Sequence, residues 1–413
     1  MTDTTTPIVL IAPPLRWWAW IPSVAALIGL ALFSLASLVP SEVIATTENP
    51  RLGEQQGAPY ARIPASAESV NDRVTYTDLP DEVEVFETAG DFFFVTVSAP
   101  NQSVLSWLVG SRDPVVDLLT EEGRNGRLTA TQNRQISLQQ MRTATQEAQF
   151  VALTAAGYEP TIESGAVVVQ DILCQVPAAD GFECETQFPS DEVLDPADTI
   201  LEVNGNPVVT LDDLSAELAD GQPGDIVEMT IDRPGDGTMT VSVELSADPT
   251  DPDRTIVGFV PFDTRTVDLP FDVSIGTAAG GPSAGLAFTL ALVDELTPGD
   301  LTGGRDIAVT GTINLDGTVG AIGGLEQKVS AVHQHGVSVF LVPSSQIEFS
   351  EPDPDNPDDG ICRLDCLNAA GDGEVVLIPV GSLDEALGVL ELLGGDPVVP
   401  VNSVVTDDAT DAD

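Results

Sequence analysis

Two residues, Ser283 and Lys328, carry the chemistry that this sequence most clearly suggests. Lys328 is the only lysine among 413 residues, and arginine supplies every other basic side chain apart from two histidines. A buried amine can lose its proton, whereas a guanidinium stays charged. A serine hydroxyl is a weak nucleophile and needs a base to take its proton. The pair therefore predicts a serine nucleophile that a neutral lysine activates.

The residues around Ser283 favour this interpretation. Ser283 follows Gly280, Gly281 and Pro282 at the start of a helix that we predict to run from Ser283 to Glu295, since proline suits a first helical turn. Unpaired N–H groups and the positive dipole end at such a start would favour an oxyanion. The competing interpretation is a plain helix start with a serine near its cap. The distant lysine motif favours catalysis.

The remaining chemical side chains give weaker signals. Both histidines, His333 and His335, fall at the end of one predicted helix, which disfavours a Ser-His-Asp triad and a zinc site. The cysteines form two close pairs in loop sequence, which indicates either local disulfides in an oxidising compartment or unpaired thiols. The pairs are Cys174 with Cys184, and Cys362 with Cys366. We expect no metal site.

Composition bounds the class of protein. The length allows two or three domains, and 42% hydrophobic residues with 5% aromatics suit α/β packing of small side chains. Sixty-six acidic residues against fifteen basic ones give a net charge of −51, which repels phosphate backbones. We therefore exclude nucleic acid as a partner and interpret the excess charge as a solvated acidic surface.

A run of 23 residues, 17–39, contains no charge and is long enough to cross a bilayer. A cleaved signal peptide is the alternative, but the run exceeds a normal hydrophobic region and only Arg16 precedes it. We predict an uncleaved transmembrane helix in the cell membrane. Arg16 places the N-terminus inside, so the bulk of the chain is expected to be extracytoplasmic.

Periodicity and turn signals predict an α/β (α+β) multidomain chain. Its longest predicted soluble helix runs from Thr131 to Ala156 and stops at Gly157. A second helix, Leu325 to His335, stops at Gly336. The expected order is a short N-terminal tail (1–16), the transmembrane helix (17–39), a linker (40–60), a membrane-proximal α+β subdomain (61–159), a β-rich domain (160–250), an α/β domain (255–396) and an acidic disordered tail (397–413).

The stretch from Leu194 to Val208 resembles the PDZ domains of bacterial surface proteases. Such β-sandwich-like domains bind a peptide as an added strand and hold its terminal carboxylate on loop N–H groups. The resemblance implies peptide-binding residues at Gly165, Ala166 and Val167. Glu163 is a poor neighbour for a carboxylate, so the resemblance implies binding of peptides rather than of free C-termini alone.

A second resemblance covers the two chemical motifs. Gly281-Pro282-Ser283-Ala284-Gly285 and Ile322-Gly-Gly-Leu-Glu-Gln-Lys328, with Val309-Thr310-Gly311-Thr312-Ile313 between them, resemble the proteolytic domain of Lon proteases. The resemblance implies that Ser283 is the nucleophile, Lys328 the general base and Thr310 the residue that orients the lysine. Gly280 stands where ATP-dependent family members usually carry aspartate, so Gly280 and Gly281 are expected to shape the loop before Ser283.

The whole order resembles the membrane-bound PDZ-Lon proteases of Gram-positive bacteria, the YlbL-like group. It implies an ATP-independent serine endopeptidase without a cofactor that acts on polypeptides, and it allows a homo-oligomer. No phosphate-binding Gly-Lys-Ser/Thr motif is present, because Val329 follows the only lysine. The alternatives are a membrane-tethered peptide-binding adaptor with a latent proteolytic domain, and a protein that only cleaves itself.

Overall fold

The computed structural model describes residues 20–48, 55–126, 128–177, 184–251, 254–347 and 364–401. In these ranges the α-helices are α1 (Ile21–Leu38), α2 (Val104–Gly110), α3 (Glu121–Asn125), α4 (Ala130–Ala156), α5 (Leu211–Leu218), α6 (Gly285–Leu296), α7 (Leu325–His335), α8 (Leu364–Ala370) and α9 (Leu383–Leu393). The β-strands are β1 (Thr46–Glu48), β2 (Gln55–Gly57), β3 (Tyr60–Ser69), β4 (Val74–Thr77), β5 (Phe92–Ser98), β6 (Asp117–Leu119), β7 (Thr161–Ile172), β8 (Cys174–Pro177), β9 (Cys184–Gln187), β10 (Thr199–Val203), β11 (Asn206–Pro207), β12 (Ile226–Arg233), β13 (Gly237–Glu244), β14 (Ser246–Ala247), β15 (Thr255–Ile256), β16 (Phe259–Asp268), β17 (Asp272–Ile275), β18 (Ile307–Val309), β19 (Thr312–Ile313), β20 (Val319–Gly320), β21 (Val339–Pro343) and β22 (Val376–Val380).

The larger sheet has the order β22-β21-β18-β5-β3-β6. Its central strands β5, β18 and β21 run parallel, and β3 pairs antiparallel with β5. Alternate residues of β18 enter different cores: Ile307 and Val309 pack with α4, α6 and α9, while Ala308 packs with α7 and α8. Strands covered on both faces are continuous apolar runs, which β18 and β21 are. The result is a three-layer α/β unit.

This sheet changes the expected domain boundaries. Residues 61–159 do not form a subdomain apart from residues 255–396, because β5 pairs in register with β18, with Phe92 opposite Ile307. Strand β4 pairs with β17, and α4 packs on α6. Because this composite of residues 60–156 and 269–393 contains Ser283 and Lys328, the residues expected to be catalytic, we call it the catalytic unit. Pairing over such sequence distances leaves no local signal, so the separate subdomain was the wrong interpretation.

A second, antiparallel sheet interrupts the catalytic unit. Its order is β13-β12-β10-β7-β16, with α5 beside it and a core of its own that includes Ile200, Met229 and Phe259. We call residues 161–268 the inserted unit. It extends beyond the expected boundary at residue 250 because β16 pairs along β7. Thr161 lies opposite Asp268, so the chain enters and leaves the unit at neighbouring points.

The N-terminal region differs from the expected linker. Helix α1 has no buried residue, and by length and composition it could span a membrane or belong to a signal sequence. Residues 40–60 are folded where the structure describes them: β1 pairs with β2, and the buried Ser41 Oγ donates to the Ala58 carbonyl at 2.7 Å. The expected tail at 1–16, Trp17 and residues 402–413 lie outside the described residues.

Several elements match their sequence patterns closely. Helix α4 starts one residue before the predicted Thr131 and ends at the left-handed Gly157, and α7 has its predicted ends. The hydroxyl of Ser382 accepts from the Glu385 N–H at the start of α9. Helix α6 instead begins at Gly285, so Ser283 lies in the turn before it. The mixed α/β class is confirmed.

Candidate active site

Lys328 lies in the first turn of α7 and is 1% exposed. The helix can start there because Gly324 adopts a left-handed conformation with φ of +67°. Its neighbour Gln327 is also buried and donates to the Val115 carbonyl and to Asp117, which fixes this turn. Burial lowers the pKa of the Lys328 amine to about 7, since the charged form loses its water.

The Lys328 Nζ lies 2.8 Å from Ser283 Oγ. Ser283 is partly exposed, whereas the lysine beneath it is almost completely buried. The hydroxyl can therefore meet a substrate, and it lies against an amine of which about half is neutral near pH 7. This is the geometry of a nucleophile and its general base within hydrogen-bond distance.

Thr310, directly after β18, joins the two residues. Lys328 Nζ donates to Thr310 Oγ1 at 2.9 Å, and the threonine hydroxyl donates to the Ser283 carbonyl at 3.1 Å. The same carbonyl accepts from the Gly311 N–H at 3.0 Å. The backbone of Thr310 is held by the Leu341 carbonyl of the neighbouring strand. Thr310 thus aims the amine and also fixes the serine backbone.

Gly280 and Gly281 dock the loop before Ser283 onto α4. The Gly281 N–H donates to the Ser137 carbonyl at 2.7 Å, and Gly281 has φ of +86°. A Cβ at Gly280 would lie 2.9 Å from Ser137 Cβ. A residue that sequence analysis left without a role, Ser137, therefore supports the nucleophile. No local pattern in α4 indicated this contact.

Two backbone donors stand at the nucleophile. Within the described residues the N–H groups of Ser283 and Ala284 donate to no protein acceptor, whereas Gly285 and Leu286 donate to the carbonyls of Pro282 and Gly311. Ala284 is the residue immediately before α6. Free donors at a helix N-terminus can stabilise the oxyanion that forms when the hydroxyl attacks a carbonyl.

A cavity of about 360 Å³ opens between α4 and β17, beside the Gly280 loop. Its walls include Leu138, Met141, Arg142 and Ala279. Arg142 is exposed and makes no ion pair or hydrogen bond among the described residues, which is notable on a chain of charge −51. The cavity is lined by both polar and apolar side chains, and Arg142 is the one cation in its wall.

The predicted peptide-binding residues Gly165, Ala166 and Val167 do not lie at an open edge. Val167 is paired on both sides, with Ile200 and with Asp263. Strand β16 fills the side next to the other two residues. Thr264 Oγ1 donates to the Ala166 carbonyl at 3.0 Å, and a Cβ at Gly165 would lie 2.5 Å from that hydroxyl. The prediction was wrong because β16 was expected to belong to the next domain.

The inserted unit has another groove. A cavity of about 480 Å³ lies between α5 and the segment from Arg254 to Pro261, with Leu211, Leu214 and Leu218 on the helix side. Strand β16 forms one edge of the sheet here. An apolar groove between a helix and a sheet edge can accept an added peptide strand.

The other candidate residues have structural positions. Cys174 and Cys184 form a disulfide, and Cys366 is also disulfide-bonded, while its expected partner Cys362 lies outside the described residues. His333 Nε2 lies 3.4 Å from Glu374 at the protein surface. Over the described ranges no cluster of three His, Cys, Asp or Glu could hold a metal ion.

Residues 266–356 match the family model of the Lon protease (S16) C-terminal proteolytic domain. The Lon protease of Haemophilus influenzae is 40% identical over 80 residues, 19% of this chain and 10% of that protein. The Lon proteases of Chloroflexus aggregans and Escherichia coli K12 are 35% identical over 108 residues (26% of this chain, 11% of the relative) and 42% identical over 80 residues (19% and 10%). The chain thus spans only about a tenth of these relatives' lengths.

Two solved structures are similar to another part of the chain. The PDZ domain of the SdrC-like protein from Listeria monocytogenes is 19% identical, with a TM-score of 0.19, and covers 24% of this chain and 92% of that structure. The corresponding PDZ domain from Listeria innocua is 17% identical, with a TM-score of 0.17, and covers 22% of this chain and 92% of that structure.

The match to the Lon proteolytic domain, residues 266–356, includes Ser283, Thr310 and Lys328.

Proposed function

We propose that this protein is a serine endopeptidase in which Ser283 is the nucleophile and Lys328 the general base. The observation that carries the proposal is the distance of 2.8 Å between Lys328 Nζ, whose pKa is lowered to about 7, and Ser283 Oγ. A serine peptidase is also supported by the match of residues 266–356 to the Lon proteolytic domain.

The reaction follows from the positions of these groups. Ser283 Oγ attacks the peptide carbonyl while the neutral Lys328 amine takes the hydroxyl proton. The Ser283 and Ala284 N–H groups stabilise the oxyanion, and the ammonium of Lys328 then protonates the leaving amine. Water, deprotonated by the same amine, hydrolyses the acyl-enzyme and regenerates Ser283. Thr310 keeps the amine in place through both steps.

The substrate class follows from what the chain lacks and carries. The sequence has no phosphate-binding Gly-Lys-Ser/Thr motif, so unfolding of a substrate by nucleotide hydrolysis through a P-loop has no support. The enzyme would act on polypeptide segments that are already flexible. The groove between α5 and β16 would add such a segment as a strand and so concentrate it near the catalytic unit.

Anchoring in the membrane is the second part of the proposal. Helix α1 has 18 residues, which give a length of about 27 Å, close to the thickness of a hydrocarbon core. An extracytoplasmic catalytic unit is consistent with the Cys174–Cys184 disulfide, because such bonds persist in oxidising compartments.

The deciding experiment incubates the full chain in detergent with a disordered protein and without nucleotide. Wild type should cleave it. Lys328→Met should lose roughly 10²- to 10⁴-fold in rate without its general base, and Ser283→Ala should lose about 10⁶-fold without its nucleophile. Ser338→Ala is the matched control, because Ser338 is exposed. A serine-reactive probe should label wild type but not Ser283→Ala. Peptide capture without cleavage or labelling would identify an adaptor, and one processing event without turnover would identify self-cleavage.

A further inference from the structure

Helix α2 is an apolar helix without a buried residue. Its sequence is Val-Leu-Ser-Trp-Leu-Val-Gly, and it lies against the C-terminal end of α1. Leu108 is 43% exposed and Val109 is 73% exposed. Soluble surfaces rarely leave contiguous apolar groups in water without an interaction that covers them. These exposed apolar groups therefore mark a candidate interaction surface.

The backbone fixes α2 to the end of α1. The Val104 N–H donates to the Val39 carbonyl at 2.9 Å, and the Ser41 N–H donates to the Gln102 carbonyl at 3.0 Å. Pro40 and Ser103 form a β-bridge, and the Ser103 hydroxyl caps α2. Because three consecutive positions are tied across the two segments, α2 cannot move far from the point where α1 ends.

The neighbouring turn adds further apolar groups. Helix α2 contacts the turn Ser41–Val43, and Leu38, Val43 and Ile44 are 80%, 69% and 49% exposed. We call the exposed residues Leu38, Val43, Ile44, Leu108 and Val109, together with the half-buried Trp107, the juxtamembrane patch. Its members come from three segments that meet at one end of α1. A patch of this kind differs from scattered exposed side chains.

We propose that the juxtamembrane patch inserts into the interfacial layer of the bilayer that α1 crosses. The inference rests on the proposed membrane anchoring. A helix of about 27 Å uses its whole length to cross the hydrocarbon core, so its end at Leu38 lies at the boundary with the headgroups. Anything that packs against that end lies at the same depth. Tryptophan at position 107 suits this layer, in which one side of the ring is apolar and the other wet.

The second contact would orient the catalytic unit on the membrane. A single spanning helix allows the attached domain to swivel, whereas a helix and a patch beside it do not. The orientation is transmitted through the backbone, because the Gln102 N–H donates to the Pro59 carbonyl and Tyr60 bridges Asn101 at the start of β3. Strand β3 belongs to the larger sheet, which lies in the catalytic unit. The active site is thereby held in one orientation relative to the lipid surface.

The test labels single cysteines in the full chain, reconstituted in phosphatidylcholine vesicles, with an environment-sensitive fluorophore. The three variants are Val109→Cys in the patch, Leu30→Cys in α1, and Val209→Cys in the inserted unit, each exposed in the structure. Lipids brominated near the headgroup or deep in the acyl chains report depth. We expect bromines near the headgroup to quench the label at position 109 and bromines deep in the acyl chains to quench the label at position 30. Neither lipid should quench the label at position 209.

Each other outcome contradicts a defined part of the inference. If bromines quench the Leu30 label but not the Val109 label, and a water-soluble quencher reaches the latter, anchoring stands and the patch is solvated. If the Val109 label escapes both quenchers, a second protein copy covers the patch, which also overturns the proposal. If neither Leu30 nor Val109 responds to lipid, the anchoring itself fails and the inference fails with it.

Discussion

As the proposed general base, Lys328 must satisfy two requirements that oppose each other. A general base has to be neutral, which burial achieves, yet a buried amine needs partners for its N–H groups. Ser283 and Thr310 provide two hydroxyl oxygens at 2.8 and 2.9 Å, and neither carries a charge that would restore the ammonium form. The position in the first turn of α7 acts in the same direction, because the positive end of a helix dipole disfavours a cation. Hydroxyl partners therefore suit the base better than a carboxylate would.

The pH dependence of the cleavage rate should follow the fraction of Lys328 that is neutral. The fraction of neutral Lys328 increases as pH rises through its lowered pKa of about 7, so kcat/KM should rise from the acid side and level off above that pH. Initial rates on an unstructured peptide between pH 5 and pH 9, with enzyme stability checked at each pH, measure this limb. A limb centred near the ordinary lysine pKa of about 10.4 would contradict a desolvated base.

Thr310→Val should separate positioning from chemistry. Valine keeps the shape of the side chain but removes two hydrogen bonds of the hydroxyl, the one it accepts from Lys328 and the one it donates to the Ser283 carbonyl. We therefore expect kcat to fall about 10- to 100-fold. Loss of that oxygen also disfavours the ammonium form, so the rising limb should move to lower pH. Thr310→Ser should retain the rate and the limb. A rate loss in Thr310→Val without any movement of the limb would assign Thr310 a purely structural role.

At the scale of elements, the proposed catalytic residues lie on segments that are distant in the chain. The loop before Ser283 is docked on α4 through Ser137, and β18, which precedes Thr310, is flanked by β5 and β21. Packing of α4 on α6 brings these pieces together. The nucleophile therefore depends on a helix more than 100 residues upstream, with the inserted unit between them.

Gly280→Ala should show that dependence. Its Cβ would lie 2.9 Å from Ser137 Cβ and push the loop off α4, so we expect cleavage to slow about 10- to 100-fold with little change in thermal unfolding. Gly276→Ala in the same loop is the matched control, because the nearest atom to its Cβ lies at 3.9 Å. Equal rates in the two variants would mean that the docking of the loop does not matter.

Features set by interactions close in the sequence were predicted correctly, whereas features set by contacts far along the chain were missed. Helices α4 and α7 were predicted within one residue, since glycine stops and apolar spacing are local signals. The residues that meet at the site, Ser283, Lys328 and Thr310, were identified from residue type and family resemblance. The pairing of β5 with β18 and of β7 with β16 was missed, because strand partners are chosen by packing far along the chain. For the same reason, sequence analysis did not show that β16 covers the edge that was expected to be open at Val167.

At the scale of the whole molecule, the two halves of the catalytic unit flank the inserted unit. Each half contributes strands to one sheet, so neither can bury its apolar faces alone. The inserted unit, by contrast, has a separate core and a separate sheet. This arrangement lets the inserted unit carry a groove of its own without any change to the core of the catalytic unit.

The inserted unit should therefore be removable. Glu163 lies opposite Thr266 in the β7–β16 pair, so replacing residues 164–265 with Asn-Gly would close a two-residue hairpin of a favoured type. The bond from the Val267 N–H to Gln146 at 2.7 Å, which ties β16 to α4, is retained. The contact of Gln132 with Asp195 is lost, and so is the packing of Ile136 in α4 next to β7 and β16. Neither contact includes Ser283 or Lys328.

We expect the shortened chain to unfold cooperatively and to cleave a short unstructured peptide at a rate close to that of wild type. Its KM for a long disordered protein should rise, because the groove between α5 and β16 is gone. Ser283→Ala in the shortened chain controls for contaminating proteases. Loss of cooperative unfolding would mean that the inserted unit completes the catalytic core. Unchanged KM for the long substrate in a folded, active variant would remove the groove from substrate binding and leave recognition of the substrate to the catalytic unit alone.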